Sequence, residues 1–449
     1  MLRTDYNGSL AKTIELSLAS PTFRSLGTEA RNLLGVVAFF PQGVDEKNLD
    51  WLFPTIPDRK TIFDKFCVLS LAYRSNGFIT MLAPLRDYLS PCDPKSSPLL
   101  CATRDHYFTR LSVILDPRTP GFSEARWIRS EDANVEYLLD VFLSVDVNSV
   151  DVWSACIQFL RHLIWHKPRE TMLRSKIEGL PDDHHSKPIC LFELSRLFNL
   201  IGNHTERKRL LTRTLTLTKE RGDEGLVAQT LRDLSDASRW LGLYEEGIQQ
   251  ATEASEIYER LGSPMGQAQA SQQLARLFLE ANQLDSAEDV AARTIDLVPE
   301  KGEEYLLCQF HRTLGVIYRS KKNKEKAIHH LKMALEIASH FDWPDQLFWI
   351  HNALSSVFIN EQELNDAQFH AKQARSLAAE DQFKLGRAME LQSDIWYRQG
   401  RFEETKSEAT GALAIFAKLG LLEQVEYCRG ILRDAEEAMK TKPSTSFQR

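Results

Sequence analysis

The residues of this 449-residue chain that could do chemistry fall into a few small groups. His162 and His166 stand four apart on a helical stretch, the spacing of two zinc ligands. Leu163, Ile164 and Trp165 lie between them, with no Glu for general-base work, and His166 precedes Lys-Pro at a helix end. Packing or capping accounts for both. Asp182-Asp183-His184-His185 could hold a cation, but the run reads as a solvated turn. His329-His330 falls on a helical face predicted to be exposed. Glu245-Glu246 and Glu303-Glu304 fall at predicted helix starts, where negative charge favours the helix dipole. No G-x-S-x-G occurs, so no nucleophile elbow is present. No G-x-x-x-x-G-K-[ST] occurs to cradle a nucleotide's phosphates, and no apolar strand ends in paired acids to hold Mg²⁺. The expectation is a chain with no catalytic residues, no metal and no cofactor. What remains is a set of arginines on successive helical stretches: Arg232, Arg239, Arg276, Arg312 and Arg319. A guanidinium is a planar fork that takes a carboxylate in two parallel hydrogen bonds.

Those arginines sit in an acidic protein, with 55 Lys and Arg against 62 Asp and Glu and a net charge of −7. That argues against binding nucleic acid by blanketing phosphates. Seven cysteines are widely spaced, odd in number and without C-x-x-C, which fits reduced thiols rather than disulfides or zinc fingers. The first twenty residues lack the apolar run of a signal peptide. No stretch offers the ~18–20 apolar residues of a membrane span. The expected setting is cytoplasmic, without membrane or nucleic-acid partners.

From Lys187 the chain repeats itself. A small residue recurs at Ser195, Ser235, Ala275, Gly315, Ser355 and Ser393, with steps of 40, 40, 40, 40 and 38. Twelve residues after each stand Arg207, Gly247, Ala287, Ala327, Ala367 and Thr405. Three after each stand Phe198, Ser238, Phe278, Tyr318, Phe358 and Trp396, and one before stand Leu194, Leu234, Leu274, Leu314, Leu354 and Gln392. Each unit reads as two amphipathic helices joined by a short polar turn such as LGLYEEG or RSKKNKEKA. Small residues let the two helices approach; the aromatic fills the space beside them. One hairpin cannot bury its own face, so units must stack. Leu421 to Lys440 would then cover the last open face, followed by a frayed tail.

The small residue, aromatic, second small residue and closing Pro299 resemble the tetratricopeptide repeat. The period is longer than usual, Arg207 makes the first unit degenerate, and Gln392 breaks the Leu position of the last. The resemblance implies an all-α, right-handed superhelix of helical hairpins. It also implies a concave groove, lined by each unit's first helix, that docks protein or peptide segments. Positions three before and one or four after the small residue point inward: Arg232, Asp236, Arg239, Gln272, Arg276, Arg312, Arg319 and Asn352. Five arginines there predict a groove for an acidic segment or a C-terminal carboxylate. The alternative is a solvated face with partners such as Arg232–Asp236. Trp349 is an aromatic anchor for the groove or a core residue.

A second resemblance covers residues 22–89. LLGVVAFFPQG, LDWLFP, FDKFCVLSL and ITMLAPLRDYL are similar to the winged-helix domain of fungal NLR-like signalling ATPases of the STAND type (NACHT or NB-ARC), where tetratricopeptide repeats follow. Helices over Ala30–Phe40, from Asp45, and over Arg59–Ser70, then two strands flanking Ser75-Asn76-Gly77, fit a winged helix. In that family a Met-His-Asp-like motif ends the wing, and its His senses phosphate. Here Met81-Leu82-Ala83 stands in its place. The candidate recognition helix sets Arg59, Lys60 and Lys65 against Asp58 and Asp64, a poor DNA reader.

The expected organisation is a leader (1–24), a winged-helix domain (25–92), a helical connector (93–185, with a degenerate repeat at 148–180), six repeats (186–420), a capping helix (421–440) and a tail (441–449). The expected function is a non-catalytic scaffold or sensor binding partner segments in the groove, as an NLR-like signalling fragment. The alternatives are the C-terminal part of a STAND ATPase switch and a winged-helix DNA-binding regulator.

Overall fold

A computed structural model describes residues 2–90, 94–112, 126–166, 168–295, 298, 302–378, 381–419 and 421–441. Cys92, Pro299, residues 113–125 and the tail from 442 lie outside them. The chain forms two compact units, Met1–Gly222 and Asp223–Arg449. None of the described helices is long and apolar enough to cross a membrane.

The first unit begins with α1 (Leu2–Ala19) and α2 (Pro21–Arg24), then α3 (Glu29–Phe39), β1 (Val44–Asp45), α4 (Leu49–Leu52), α5 (Arg59–Val68), β2 (Tyr73–Ser75), β3 (Phe78–Thr80) and α6 (Ala83–Leu89). Leu33, Leu34, Val36, Val37 and Phe39 bury nearly the whole circumference of α3, because helices flank it on several sides. The sequence suggested a two-stranded hairpin after three helices. The sheet has a third strand: β1 and β2 both pair antiparallel with β3, in the order β1-β3-β2. Two residues of β1 were too few to carry a strand pattern. Asn76 and Gly77 both have positive φ, as a tight hairpin turn requires. Arg59 and Lys60 bond Asp50, and Arg74 bonds Glu46 and Asp64, so acids engage three of the cations on and beside α5.

Helices α7 (Pro98–Ser112), α8 (Arg126–Val145), α9 (Val150–His166) and α10 (Arg174–Glu178) follow. Within 148–180 only α9 is long; α10 has five residues. The carboxylate of Glu131 on α8, fully buried, joins these parts. It accepts from Asn48 (2.7 Å), Asn134 (2.7 Å) and Tyr107 (3.0 Å). Asn134 in turn donates to the Gly43 carbonyl (2.9 Å) and accepts from the Gln42 amide (3.2 Å). Burial raises the Glu131 carboxyl above its ordinary range, and the three donors hold it back. Gly43 is forced: at φ +79 an added Cβ would lie 2.1 Å from the Ile79 carbonyl oxygen. The Pro41-Gln42-Gly43 corner is thus the docking point of the connector. One continuous core runs from Phe23 to Leu217 and takes in α11 (Lys187–Ile201) and α12 (His204–Arg221), the first hairpin. Arg207, which replaces a small residue there, is buried with its guanidinium on Asn199 (2.8 Å).

The second unit holds five further hairpins: α13 (Glu224–Trp240) with α14 (Tyr244–Arg260), α15 (Pro264–Glu280) with α16 (Leu284–Ile295), α17 (Glu304–Ser320) with α18 (Lys324–His340), α19 (Pro344–Asn360) with α20 (Leu364–Leu377), and α21 (Gln382–Arg398) with α22 (Phe402–Leu419). α23 (Leu422–Thr441) packs on the last. Left-handed residues follow successive helices at Gly202, Gly222, Gly242, Gly262, Asn282, Lys322, Asp342 and Gln362. From α13 to α16 and from α17 to α20, successive helices are joined by three-residue turns, so a helix of 17 residues and its turn make half of a 40-residue unit. Ser195, Ser235, Ala275, Ser355 and Ser393 are buried to 0% exposure, and a Cβ at Gly315 would lie 2.5 Å from Leu331. Cys156, Cys190, Cys308 and Cys428 are buried thiols.

Two hairpins share a device absent from the sequence reading. His330 was assigned to an exposed face; it is half-buried, and its Nδ1 lies 3.1 Å from that of His311 across the hairpin. One period later, the Nδ1 atoms of His351 and His370 are 2.8 Å apart. Tyr318 and Phe358 stack on the second imidazole of each pair, at 5.5 and 5.6 Å. Such a pair needs one ring to donate and the other to accept, so the accepting ring must be neutral. Burial, then the neighbouring His, pulls His311 and His351 down to about 4, against an ordinary value near 6.5. Unfolded chains take up protons below pH ~6.5 that the folded hairpins refuse until pH ~4. Stability therefore falls as pH falls through that window. Because the rings are half-exposed the effect is discounted, and the array's melting temperature should drop on the order of 5 °C from pH 7 to pH 5. Calorimetry of the chain and of its His311→Gln/His351→Gln variant checks this; the variant should lose most of the drop.

Candidate partner-binding channel

The inward positions of the second unit belong to α13, α15, α17, α19 and α21, the first helix of each hairpin. These helices curve until the two ends of the series meet. Trp240 on α13 lies edge-on to Phe383 on α21 at 6.1 Å, and Tyr244 lies within electrostatic reach of Glu423 on α23. The inner wall is thus a channel.

Four of the sequence-chosen residues, Arg232, Asp236, Arg239 and Gln272, are tied to protein partners. Arg239, 6% exposed, pairs with Asp236 (2.9 Å) and with Glu280 of α15 (2.8 Å). Its charge is held despite burial by those two acids. Arg232 bonds Asp233 (3.0 Å) and Gln269 rather than the Asp236 that helical spacing suggested, because Asp236 is taken by Arg239. Gln272 is buried and reaches Thr313 at 3.4 Å.

The next three are different. Arg276 on α15 and Arg312 and Arg319 on α17 make no hydrogen bond or ion pair among the described residues, and the Nε of Arg312 is a buried donor without a partner. Burial, then the charge of Arg239, pulls Arg276 down to about 9; the charge of Arg312 acts in the same direction. Burial likewise lowers Arg312, and burial with the Arg387 charge lowers Arg319. By area these side chains are only half-buried, and of the three Arg319 lines a cleft of the channel. Its walls still strip most of their water. Like charges gathered in a desolvated place raise their mutual repulsion.

Beyond them the wall changes character. A cleft of about 520 Å³ is lined by Arg319 and Lys322, by Asn352 and Ser356, and by Arg387, Glu390, Asp394, Glu423 and Tyr427, among others. Arg319, Asn352, Ser356, Glu390 and Asp394 stand at the positions counted as inward, so the repeat register does point these side chains into one space. Arg387 grips Glu390 through both carboxylate oxygens (2.7 and 2.8 Å), and Asp394 takes Arg398 (3.2 Å). Burial raises the Glu390 carboxyl. Tyr427 is pushed up to about 12 by burial and the charges of Asp394 and Glu390. The sequence reading stopped at Asn352 and missed this acidic part. The same counting rule yields Glu390 and Asp394, whereas Glu423 and Tyr427 lie on α23, which has no repeat register. Trp349 is half-buried against Phe348 (4.9 Å) and Phe383 (6.0 Å), in the aromatic row that closes the array.

Of the weighed metal candidates, His184 and Asp182 are engaged by protein groups, and the side chain of His166 lies outside those described. His184 bonds the Val147 carbonyl (2.9 Å), and Asp182 is taken by Lys187 (2.8 Å) and Arg213. His162 is 2% exposed, inside the first unit's core. No group of three or more metal-ligating side chains occurs among the described residues.

Removing one of the unpaired charges should relieve repulsion. Arg276→Met should raise the melting temperature of the ligand-free protein by roughly 2–4 °C, about 1 kcal/mol. A lowered melting temperature would mean that the guanidinium is structurally satisfied.

No protein-family model matches the chain, and no curated protein matches it by sequence. Its structure is similar to that of a Signal Transduction ATPase with Numerous Domains (STAND) protein with a tetratricopeptide repeat sensor from Pyrococcus horikoshii, with TM-score 0.57 and 14% identity over 93% of this chain. The chain spans 63% of that protein's length. It is also similar to a Rap protein complexed with competence and sporulation factor, with TM-score 0.50 and 12% identity over 76% of this chain and 100% of that one. At such identities the likeness is one of fold, and the fold is a tetratricopeptide-like array of helical hairpins.

Proposed function

We propose that the chain is a non-catalytic interaction scaffold or sensor whose second-unit channel binds an acidic protein or peptide segment. The observation that carries this is the set Arg276, Arg312 and Arg319, three desolvated guanidiniums without acid partners. A fold gains nothing from collecting such charges. A ligand carboxylate there would make charge-assisted hydrogen bonds in a low-dielectric place. Arg232, Asp236, Arg239 and Gln272 then form the supporting wall, and Asn352 offers an amide to the segment's backbone. Trp349 serves by holding the array's ends together. The likeness to a Rap protein complexed with competence and sporulation factor supports an array of this fold as a receptor.

A second reading is favoured by the 63% span of the STAND protein: the chain is the winged-helix and sensor part of an ATPase switch whose P-loop domain lies elsewhere. The helix–strand–helix–helix–strand–strand order of residues 29–80 supports a winged helix in this role. The pairing of Arg59, Lys60 and Arg74 with acids speaks against that segment as a DNA reader.

The test is fluorescence anisotropy of the full chain with a labelled peptide ending in four aspartates. The wild type should bind, and Arg276→Glu/Arg312→Glu should weaken binding by roughly 100-fold, two lost charge-assisted contacts at about 1.5 kcal/mol each. Equal affinity in a variant that melts like the wild type would end this reading.

A further inference from the structure

The charges of the channel are not uniform; they are sorted along it. Arg239 is neutralised by Asp236 and Glu280. Next along the wall come the three unpaired cations, Arg276, Arg312 and Arg319. α19 then presents no charge to the cleft, only Asn352, Ser356, Ile359 and Asn360. Past them the order reverses. Of the cleft's charges on α21 and α23, Arg387 is cancelled by its grip on Glu390, which leaves Asp394 and Glu423. Asp394 has one exposed partner, Arg398, at 3.2 Å. Glu423 has no ion-pair partner among the described residues, and it stands where α23 comes within electrostatic reach of Tyr244 at the start of α14. Negative charge in this part of the cleft is felt by Tyr427, whose phenol Asp394 and Glu390 help hold protonated.

We infer that the channel selects a bipolar peptide and fixes its direction: an acidic group on Arg276 and Arg312, and an ammonium or guanidinium on Asp394 and Glu423. This rests on the acidic-segment reading and adds a second charge and a polarity to it. Helices packed side by side are spaced about 8–10 Å. From α17 to α21 is two such steps and from α15 three, so the two charged groups stand on the order of 20–25 Å apart. At about 3.3 Å per extended residue that span is roughly seven residues. The neutral amides between would bond the peptide backbone, which has donors and acceptors in any sequence. Opposite charges at the two ends also oppose reversed binding, because a flipped peptide would set like charges together.

The experiment compares three labelled eight-residue peptides of Asp, Lys, Gly and Ser on the full chain. One carries two Asp at one end and two Lys at the other. The second has the same composition with the charges alternating. The third carries only the two Asp, the rest being Gly and Ser. The bipolar peptide should bind at least tenfold more tightly than the alternating one and than the Asp-only one. Glu423→Lys should bring its affinity down to that of the Asp-only peptide, while Arg312→Glu should weaken both. If the Asp-only and bipolar peptides bind equally, the polarity is wrong and the acidic-segment reading stands. If no peptide binds, both fail. Glu423 is exposed on α23, so its variant should fold; an unchanged melting curve checks that, and Glu423→Gln provides a milder substitution for the same comparison.

Discussion

The closeness of the two helices within each hairpin is the constraint on which the second unit depends. Ser235, Ala275, Gly315, Ser355 and Ser393 are fully enclosed, and several of the serines turn their hydroxyl onto a carbonyl rather than leave it unpaired: Ser235 onto Arg232, Ser355 onto Ala367 across the hairpin, Ser393 onto Glu390. Widening any one of these contacts would tilt a hairpin against its neighbours. Curvature is the accumulated tilt of successive units. Whether Trp240 reaches Phe383, and hence whether there is a channel at all, follows from small side chains placed every forty residues.

A curved wall with a narrow interior changes what its side chains cost. Arg276 on an open helix would be an ordinary solvated cation. Enclosed with Arg239 and Arg312, it becomes a group whose charge is held at an energetic cost. The acids in the second unit could have cancelled it, yet they are spent elsewhere: Asp236 and Glu280 on Arg239, Glu390 on Arg387. Binding sites commonly forgo stability in this manner, because groups satisfied within the protein cannot be satisfied again by a ligand. The His pairs of the fourth and fifth hairpins are the opposite case, polar groups satisfied by each other.

The first unit solves a different problem, joining a small helix-and-sheet module to a helical connector. It does so through polar groups at the centre: Glu131, Asn48, Asn134 and Tyr107 form a closed set of hydrogen bonds against the Gly43 corner. A second glutamate of α8, Glu136, takes Arg169 (2.6 Å), Thr171 and the Met172 amide (2.9 Å) and holds the chain that follows α9. Directional bonds fix orientation where apolar packing alone would tolerate sliding.

The sequence by itself determined the period, the helical hairpins, the close contacts and the inward face. Each is a local property: size at one position, apolar spacing over a turn, a polar break between helices. It also placed Arg276, Arg312 and Arg319 on that face. It did not determine which charges would be cancelled, since Arg239 is matched by Glu280 forty-one residues away and Asp236 by Arg239 rather than Arg232. Nor could it read β1, too short for alternation, or the left-handed turns at Lys322, Asp342 and Gln362, where no glycine marks them. The pairing of His311 with His330, and the arrival of Glu423 and Tyr427 beside Asp394, depend on distances across and between helices. Those distances exist only once the hairpins are stacked, and tertiary structure therefore decided which of the legible residues were left without partners and facing one another.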